Sequence, residues 1–181
     1  LNDAIRRGFA TYNAAHGAIL PRLDFKEMVF LDADEVLQFL ITAQESPYHA
    51  LYTLAIKTGM RKGELLALKW TDVNWQSGTL RVQRQVQRIR GQGLVFRPPK
   101  TRAGRRTIQL GEKTIEILRK QLEQCDLLRN LARDGWEEHN LIFPSTVGTP
   151  LGSSNLSKDF KAQLEKAGVK KIRFHDLRHT A

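Results

Sequence analysis

Apolar side chains spaced three and four residues apart run through most of the chain and mark it as predominantly helical. Ala4, Ile5, Phe9 and Ala10 share one face and predict a short helix over residues 2–14. Gly17 and Pro21 break that pattern, and residues 20–26 read as a basic linker. Val36, Leu37, Leu40 and Ile41 form the stripe of a second helix, opened by an Asp32/Glu35 capping box and running to about residue 43. Ser46 as cap and Pro47 at the first helical position open a third, which carries Leu51, Leu54 and Ala55 and stops at Gly59. Another helix is expected almost at once over residues 60–70.

From Thr79 the period changes to two. Leu80, Val82, Val86 and Ile89 alternate with Arg81, Arg84, Arg88 and Arg90, Gly91-Gln92-Gly93 turns the chain into Leu94-Val95-Phe96, and Thr107 to Leu110 makes a third strand. A long amphipathic helix is expected over 112–130, then a short apolar segment, Leu141-Ile142-Phe143, and a turn-rich loop over 144–154. The last full helix spans 155–167, with Leu156, Phe160 and Leu164 on one side and Gly168 as its stop. The fold class expected is therefore α+β, mostly helical, with a small three-stranded antiparallel sheet at one edge.

Charge sharpens this picture. The 181 residues hold 29 Lys and Arg against 19 Asp and Glu, a net charge of +10, and that balance favours a polyanionic partner, most plausibly nucleic acid. Between Asp72 and Glu112 there is no acidic residue, while Arg81, Arg84, Arg88, Arg90, Arg97, Lys100, Arg102, Arg105 and Arg106 are all basic. Solubility alone would spread the charge; here it gathers on the predicted sheet and its turns. The single cysteine, Cys125, excludes an internal disulfide and, set among Ile115, Leu118, Leu122 and Leu128, reads as a small core residue. No apolar run has a membrane helix's length and no signal-peptide pattern opens the chain, so a soluble, cytoplasmic protein is expected. The chain starts at Leu1 without methionine and stops at Ala181 inside an unfinished helical pattern, so both ends are expected to be cuts.

Two places carry candidate chemistry. Arg61 falls at a tight corner beside a helix N-terminus, where free amides and the helix dipole favour an anion, and Glu64 three residues on can pair with it. His175 and Arg178 lie three apart, on one face of a helix, and a guanidinium beside an imidazole suits an oxyanion. A plain surface ion pair and a solvated helix face are the simpler readings of each. His175 and His179 have the spacing of a zinc pair, but no glutamate follows the first as in metalloproteases and the neighbourhood is basic, so no metal is expected. His16, His49 and His139 are isolated, and Trp70 and Trp75 read as packing residues. The tyrosines, Tyr12, Tyr48 and Tyr52, all precede Arg61 in helical patterns that suggest full or partial burial.

Three segments together carry a resemblance. Thr58-Gly59-Met60-Arg61-Lys62-Gly63-Glu64-Leu65 with Leu68-Lys69-Trp70, Pro99-Lys100-Thr101-Arg102-Ala103-Gly104-Arg105-Arg106-Thr107-Ile108, and His175-Asp176-Leu177-Arg178-His179-Thr180 occur in this order over about 120 residues. In this the chain resembles the tyrosine recombinases of the phage-integrase type. The resemblance covers residues 25–181 as a catalytic domain and makes residues 1–24 the end of a core-binding domain plus its linker. It implies that Arg61 and Arg178 grip the nonbridging oxygens of a scissile phosphate in double-stranded DNA, that Lys100 protonates the departing 5′ oxygen, and that His175 assists while Glu64 supports the arginines. Arg102, Arg105 and Arg106 would contact DNA.

The family's nucleophile is a tyrosine that forms a 3′-phosphotyrosyl link without metal, ATP or other cofactor. In the family it follows the His-x-x-Arg segment, together with a further histidine or tryptophan. This chain ends three residues after Arg178, so the resemblance implies a fragment that holds most of the pocket, lacks the nucleophile and does not cleave DNA by itself. Such a fragment should leave core apolar surface uncovered and be prone to self-association. Other protomers in a tetrameric synapse and accessory DNA-bending proteins are the implied partners. A DNA-binding module without chemistry is the alternative from another class, and a type IB topoisomerase is a third.

Overall fold

The structure, a computed structural model, describes residues 1–19, 29–99 and 104–180. The linker expected at residues 20–26 lies outside them. The helices are α1 (Asn2–Arg6), α2 (Ala33–Thr42), α3 (His49–Thr58), α4 (Lys62–Leu65), α5 (Glu112–Ala132), α6 (Ser153–Ala167) and α7 (Leu177–Thr180). The strands are β1 (Val73–Asn74), β2 (Thr79–Val82), β3 (Gln85–Ile89), β4 (Gly93–Arg97) and β5 (Arg106–Gln109).

The element at the centre is α3. Every residue from Ala50 to Ile56 is buried, Thr53 among them, and a helix enclosed on all sides must have neighbours all round. It packs against α2, α4, α5 and α7. Phe39 of α2, Tyr52 of α3, Phe160 of α6 and Phe174 before α7 meet with ring centroids 5.3–6.3 Å apart, separations at which tilted and edge-on rings attract beyond the area they bury. The Tyr52 hydroxyl donates to Asp159 Oδ2 of α6 at 2.7 Å, and Ser46 Oγ donates to the same oxygen at 2.8 Å.

Local signals account for most boundaries. Asp32 Oδ1 accepts from the Glu35 N–H at 2.9 Å and Glu35 Oε2 accepts from the Asp32 N–H at 3.0 Å, which closes the expected capping box of α2. The third helix begins two residues later than expected, because Ser46 Oγ accepts from the Tyr48 N–H and holds Pro47 and Tyr48 in a turn first. It ends as expected at Gly59, whose φ of 58° reverses the chain at once and delivers it to Arg61. The first helix is shorter than expected, five residues followed by a separate 3-10 turn (Ala14–Gly17), and Ile5, Phe9 and Tyr12 are exposed, against the burial expected of them.

Two expectations change. The helix over 60–70 shrinks to the single turn of α4, because Leu65, Leu66, Ala67 and Leu68 are all buried and the chain passes through the core rather than along it. A 3-10 turn (Trp70–Asp72) follows, held by the Lys69 N–H donating to Asp72 Oδ2 at 2.8 Å. The strand expected over 80–89 divides at Gln83 and Arg84. Gln83 Nε2 donates to the buried Asp72 at 3.0 Å and the Arg84 guanidinium pairs with the same carboxylate. Two neighbouring side chains serving one carboxylate interrupt the alternation a strand requires. The three-stranded antiparallel sheet is thus β1-β2-β5, with Val73 opposite Leu80 and Leu80 opposite Ile108. Leu94 to Phe96 belong instead to a separate two-stranded ribbon, β3-β4. Phe96 of the ribbon sits under Lys69 Nζ, 5.7 Å from the ring centroid.

Candidate active site

Arg61 stands between α3 and α4, where the chain turns into the short helix. Glu64, one turn on, is buried to 2% and forms the floor of the site. Glu64 Oε2 accepts from the Arg61 backbone N–H at 3.0 Å, and Oε1 accepts from Arg61 Nη1 at 3.2 Å. A second guanidinium reaches the same carboxylate from β5: Arg106 Nη2 lies 3.0 Å from Oε2 and Nη1 lies 3.4 Å from Oε1. Burial pushes the Glu64 carboxyl up. The hydrogen bonds from Arg106 and from the Arg61 backbone outweigh it, so the group stays below the usual glutamate range and ionised. The Arg61 side chain remains 53% exposed.

The loop-helix packing that seats this corner depends on Gly63. A Cβ there would stand 2.9 Å from the Val86 carbonyl oxygen of β3, closer than side chains tolerate, so only glycine lets α4 lie against the ribbon.

His175 lies exposed in a 3-10 turn (Phe174–Asp176) and Arg178 is partly buried in α7. The turn is built like the one at Arg61. Asp176 Oδ2 accepts from the Arg173 N–H at 3.0 Å, and the Arg173 guanidinium adds Nε to Oδ2 at 3.0 Å and Nη2 to Oδ1 at 2.9 Å. The Arg173 hydrogen bonds outweigh the cost of burial and hold the Asp176 carboxyl below its ordinary range. Phe174 and Leu177 are buried beneath, so the turn presents His175 outward. The element common to both halves is α3: Arg61 follows its C-terminal end, and α7, which carries Arg178, packs against it.

Lys100 and Arg102 lie outside the described residues. Arg105 is exposed immediately before β5, with Arg81, Arg88, Arg90 and Arg97 exposed on the strands and ribbon. The basic run therefore divides. Arg84 and Arg106 are spent on the buried carboxylates Asp72 and Glu64, and the remaining described arginines face outward. Arg106, expected among the DNA-contacting arginines, has a partner 42 residues away in Glu64. Among the described residues no cluster of histidine, cysteine, aspartate and glutamate has the makings of a metal site. No helix among them is long and apolar enough to cross a membrane.

The tyrosines differ from one another. Tyr52 is fully enclosed, and burial with the Asp159 hydrogen bond drives its hydroxyl far above the usual phenol range. Burial and the Asp159 charge raise that of the half-buried Tyr48 as well. Tyr12 is exposed. Cys125 is buried, its thiol pushed up to about 11 chiefly by burial and directed at the Ile142 carbonyl, a core residue and not a nucleophile.

Residues 29–181 match the Phage integrase family. The chain is 33% identical over 202 residues to a protein described as tyrosine recombinase XerC-like from Caldanaerobacter subterraneus subsp. tengcongensis, with 99% of this chain and 50% of that protein covered. It is 27% identical over 230 residues to an integrase of Saccharopolyspora erythraea, covering 99% of this chain and 53% of the relative. The chain spans about half the length of these curated relatives. In fold it is similar to the Tn1549 transposon integrase in complex with a circular intermediate DNA, with a TM-score of 0.78 at 20% identity over 99% of this chain and 60% of the other. A lambda integrase dimer bound to a COC′ core site gives a TM-score of 0.57 at 27% identity, over 99% of this chain and 46% of the other.

Proposed function

Because the chain belongs to the phage integrase family, we propose that it is the phosphate-gripping part of a site-specific recombinase acting on double-stranded DNA. Arg61 and Arg178 hold the two nonbridging oxygens of the scissile phosphate, where negative charge grows as phosphorus becomes five-coordinate. A tyrosine oxygen forms the new bond to phosphorus while the 5′ bridging oxygen leaves and takes a proton from Lys100. His175 hydrogen-bonds the phosphate and handles the proton of the incoming hydroxyl. Glu64 keeps Arg61 in place from below. Arg102 and Arg105 neutralise flanking phosphates. Residues 1–24 end a core-binding domain, residues 25–181 belong to the catalytic domain, and other protomers on the DNA, with DNA-bending proteins, complete a tetrameric synapse in the cytoplasm.

The observation that carries this reading is the half-exposed Arg61 set over a buried, ionised Glu64. Such a guanidinium is oriented from one side and open on the other, which is what a phosphate requires. Of the three tyrosines, Tyr52 is fully enclosed, Tyr48 is half-buried with its hydroxyl raised by burial and the Asp159 charge, and Tyr12 stands on the segment assigned to the end of the core-binding domain. The nucleophile is therefore supplied from outside these 181 residues.

The test is covalent capture on a nicked duplex carrying the DNA that flanks the gene, read as a protein–DNA adduct on a denaturing gel. The 181-residue chain forms none. A version extended through the downstream reading frame forms an adduct, and Arg61→Ala or Arg178→Ala abolishes it. An adduct from the short chain, or adduct formation untouched by both substitutions, overturns the assignment. The outward arginines of the ribbon favour a second reading, a DNA-binding module without chemistry, under which Arg61 and Arg178 are dispensable and the extended chain also forms no adduct.

A further inference from the structure

Glu64 has two guanidinium partners, Arg61 and Arg106. A buried carboxylate facing Arg61 alone would close it into an ion pair, with its charge cancelled and its orientation spent on the acid. Instead both Arg106 nitrogens face Glu64, at 3.0 and 3.4 Å, while Arg61 gives it one side-chain N–H, at 3.2 Å, together with its backbone N–H. The Arg106 side chain is 30% exposed against 53% for Arg61. The trio carries a net charge of +1, and the more open of its two cations is Arg61.

We infer that Arg106 is a positioning residue for Arg61: by occupying Glu64 from β5, it leaves the Arg61 guanidinium cationic and free to take a phosphodiester. The ligand is that of the proposed function, and the inference rests on that reading for the anion's identity. It assigns Arg106 a different role from the direct DNA contact expected of it from the sequence. It also makes the β5 end of the sheet a determinant of the α3–α4 corner. Without Arg106, Glu64 turns its full charge on Arg61, and the phosphate then competes with a carboxylate for the same guanidinium.

The experiment is a double-mutant cycle on the 181-residue chain binding a double-stranded DNA oligonucleotide, with affinity followed across salt concentrations. Arg106→Ala is expected to weaken binding about tenfold, as does Arg61→Ala, while Arg61→Ala with Arg106→Ala weakens it no further. Arg106→Lys, which keeps a charge beside Glu64, recovers part of the loss. Additive losses, with each substitution lowering the salt slope by about 0.9, show Arg106 to be a phosphate contact in its own right and overturn the inference. Thermal melts confirm that each variant is folded.

A second measurement needs no DNA. The Glu64 carboxyl is titrated by carbon-13 NMR in the wild type and in Arg106→Ala. The midpoint rises on removal of Arg106, and by more than on removal of Arg61. An unmoved midpoint overturns the inference. If the wild type binds no DNA at all, the proposed function falls, and the carboxyl titration still decides whether Arg106 governs Glu64.

Discussion

At the scale of single residues the molecule repeats one device. Arg61 with Glu64, Lys69 with Asp72 and Arg173 with Asp176 each place a carboxylate three residues after a basic residue, where it takes that residue's backbone N–H. The device fixes a tight turn and leaves the basic side chain to be aimed elsewhere or held against the acid. Glu64 is the case among these three in which the acid serves two arginines, and its stability contribution has a definite sign. Its folded-state pKa is depressed, so the contribution is present above the ordinary glutamate range and is lost as pH falls below about 4.5 through the folded value. Glu64→Gln is expected to cost about 2 kcal/mol at pH 7, since the amide leaves two guanidinium groups short of a counter-charge. Urea unfolding at a series of pH values reads this directly: the gap between wild type and variant narrows as pH falls below about 4.5. A gap that is constant with pH would mean that Glu64 acts by shape rather than charge.

At the scale of elements, the corner between α3 and α4 and its contact with β3 set where Arg61 stands. Gly63→Ala brings two effects into opposition. Alanine is the better helix former by about 1 kcal/mol, but its Cβ would stand 2.9 Å from the Val86 oxygen, and overpacking of that kind costs about 1–3 kcal/mol. The close approach is backbone, which cannot step aside as a flexible side chain does. The variant is therefore expected to melt lower than the wild type and to exchange its β3 amides faster, as read by calorimetry and hydrogen exchange. An unchanged or raised Tm would show that the ribbon moves away freely.

The same elements show what could be read in advance. The capping box of α2 and the Gly59 stop of α3 were legible because their signals are local, three residues or one residue wide. Arg61 and Glu64 were legible together for the same reason. The division of the strand at Gln83 and Arg84 was not, because its cause, a buried Asp72, sits 11 and 12 residues earlier and its burial is a tertiary fact. Nor was the hold of Arg106 on Glu64, across 42 residues. In both cases an arginine counted as surface charge proved to be the partner of an enclosed acid. Such a pairing is invisible until the two segments meet.

At the scale of the whole molecule, those two pairings change how the net charge of +10 is used. Arg84 and Arg106 each face a buried carboxylate, Asp72 and Glu64, so part of the basic charge is set against acid inside the fold. The outward charge on the ribbon lies instead at Arg88 and Arg90 near its tip and at Arg97 on the opposite strand, with Arg81 and Arg105 on the neighbouring sheet and its approach. Each phosphate neutralised by such an arginine releases counterions and adds about 0.9 to the steepness of the salt dependence. Replacing Arg88 and Arg90 together by alanine is expected to lower the slope of log Kobs against log salt by about 2 while leaving the unfolding free energy within about 1 kcal/mol of the wild type, since both side chains are exposed. Arg84→Ala should do the reverse, leaving the slope unchanged and destabilising the fold by uncovering Asp72. Fluorescence anisotropy at five or six salt concentrations separates the two. Equal slopes for the Arg88/Arg90 variant and the wild type would show that DNA does not lie along the ribbon, and would move the nucleic-acid surface to the corner at Arg61 alone.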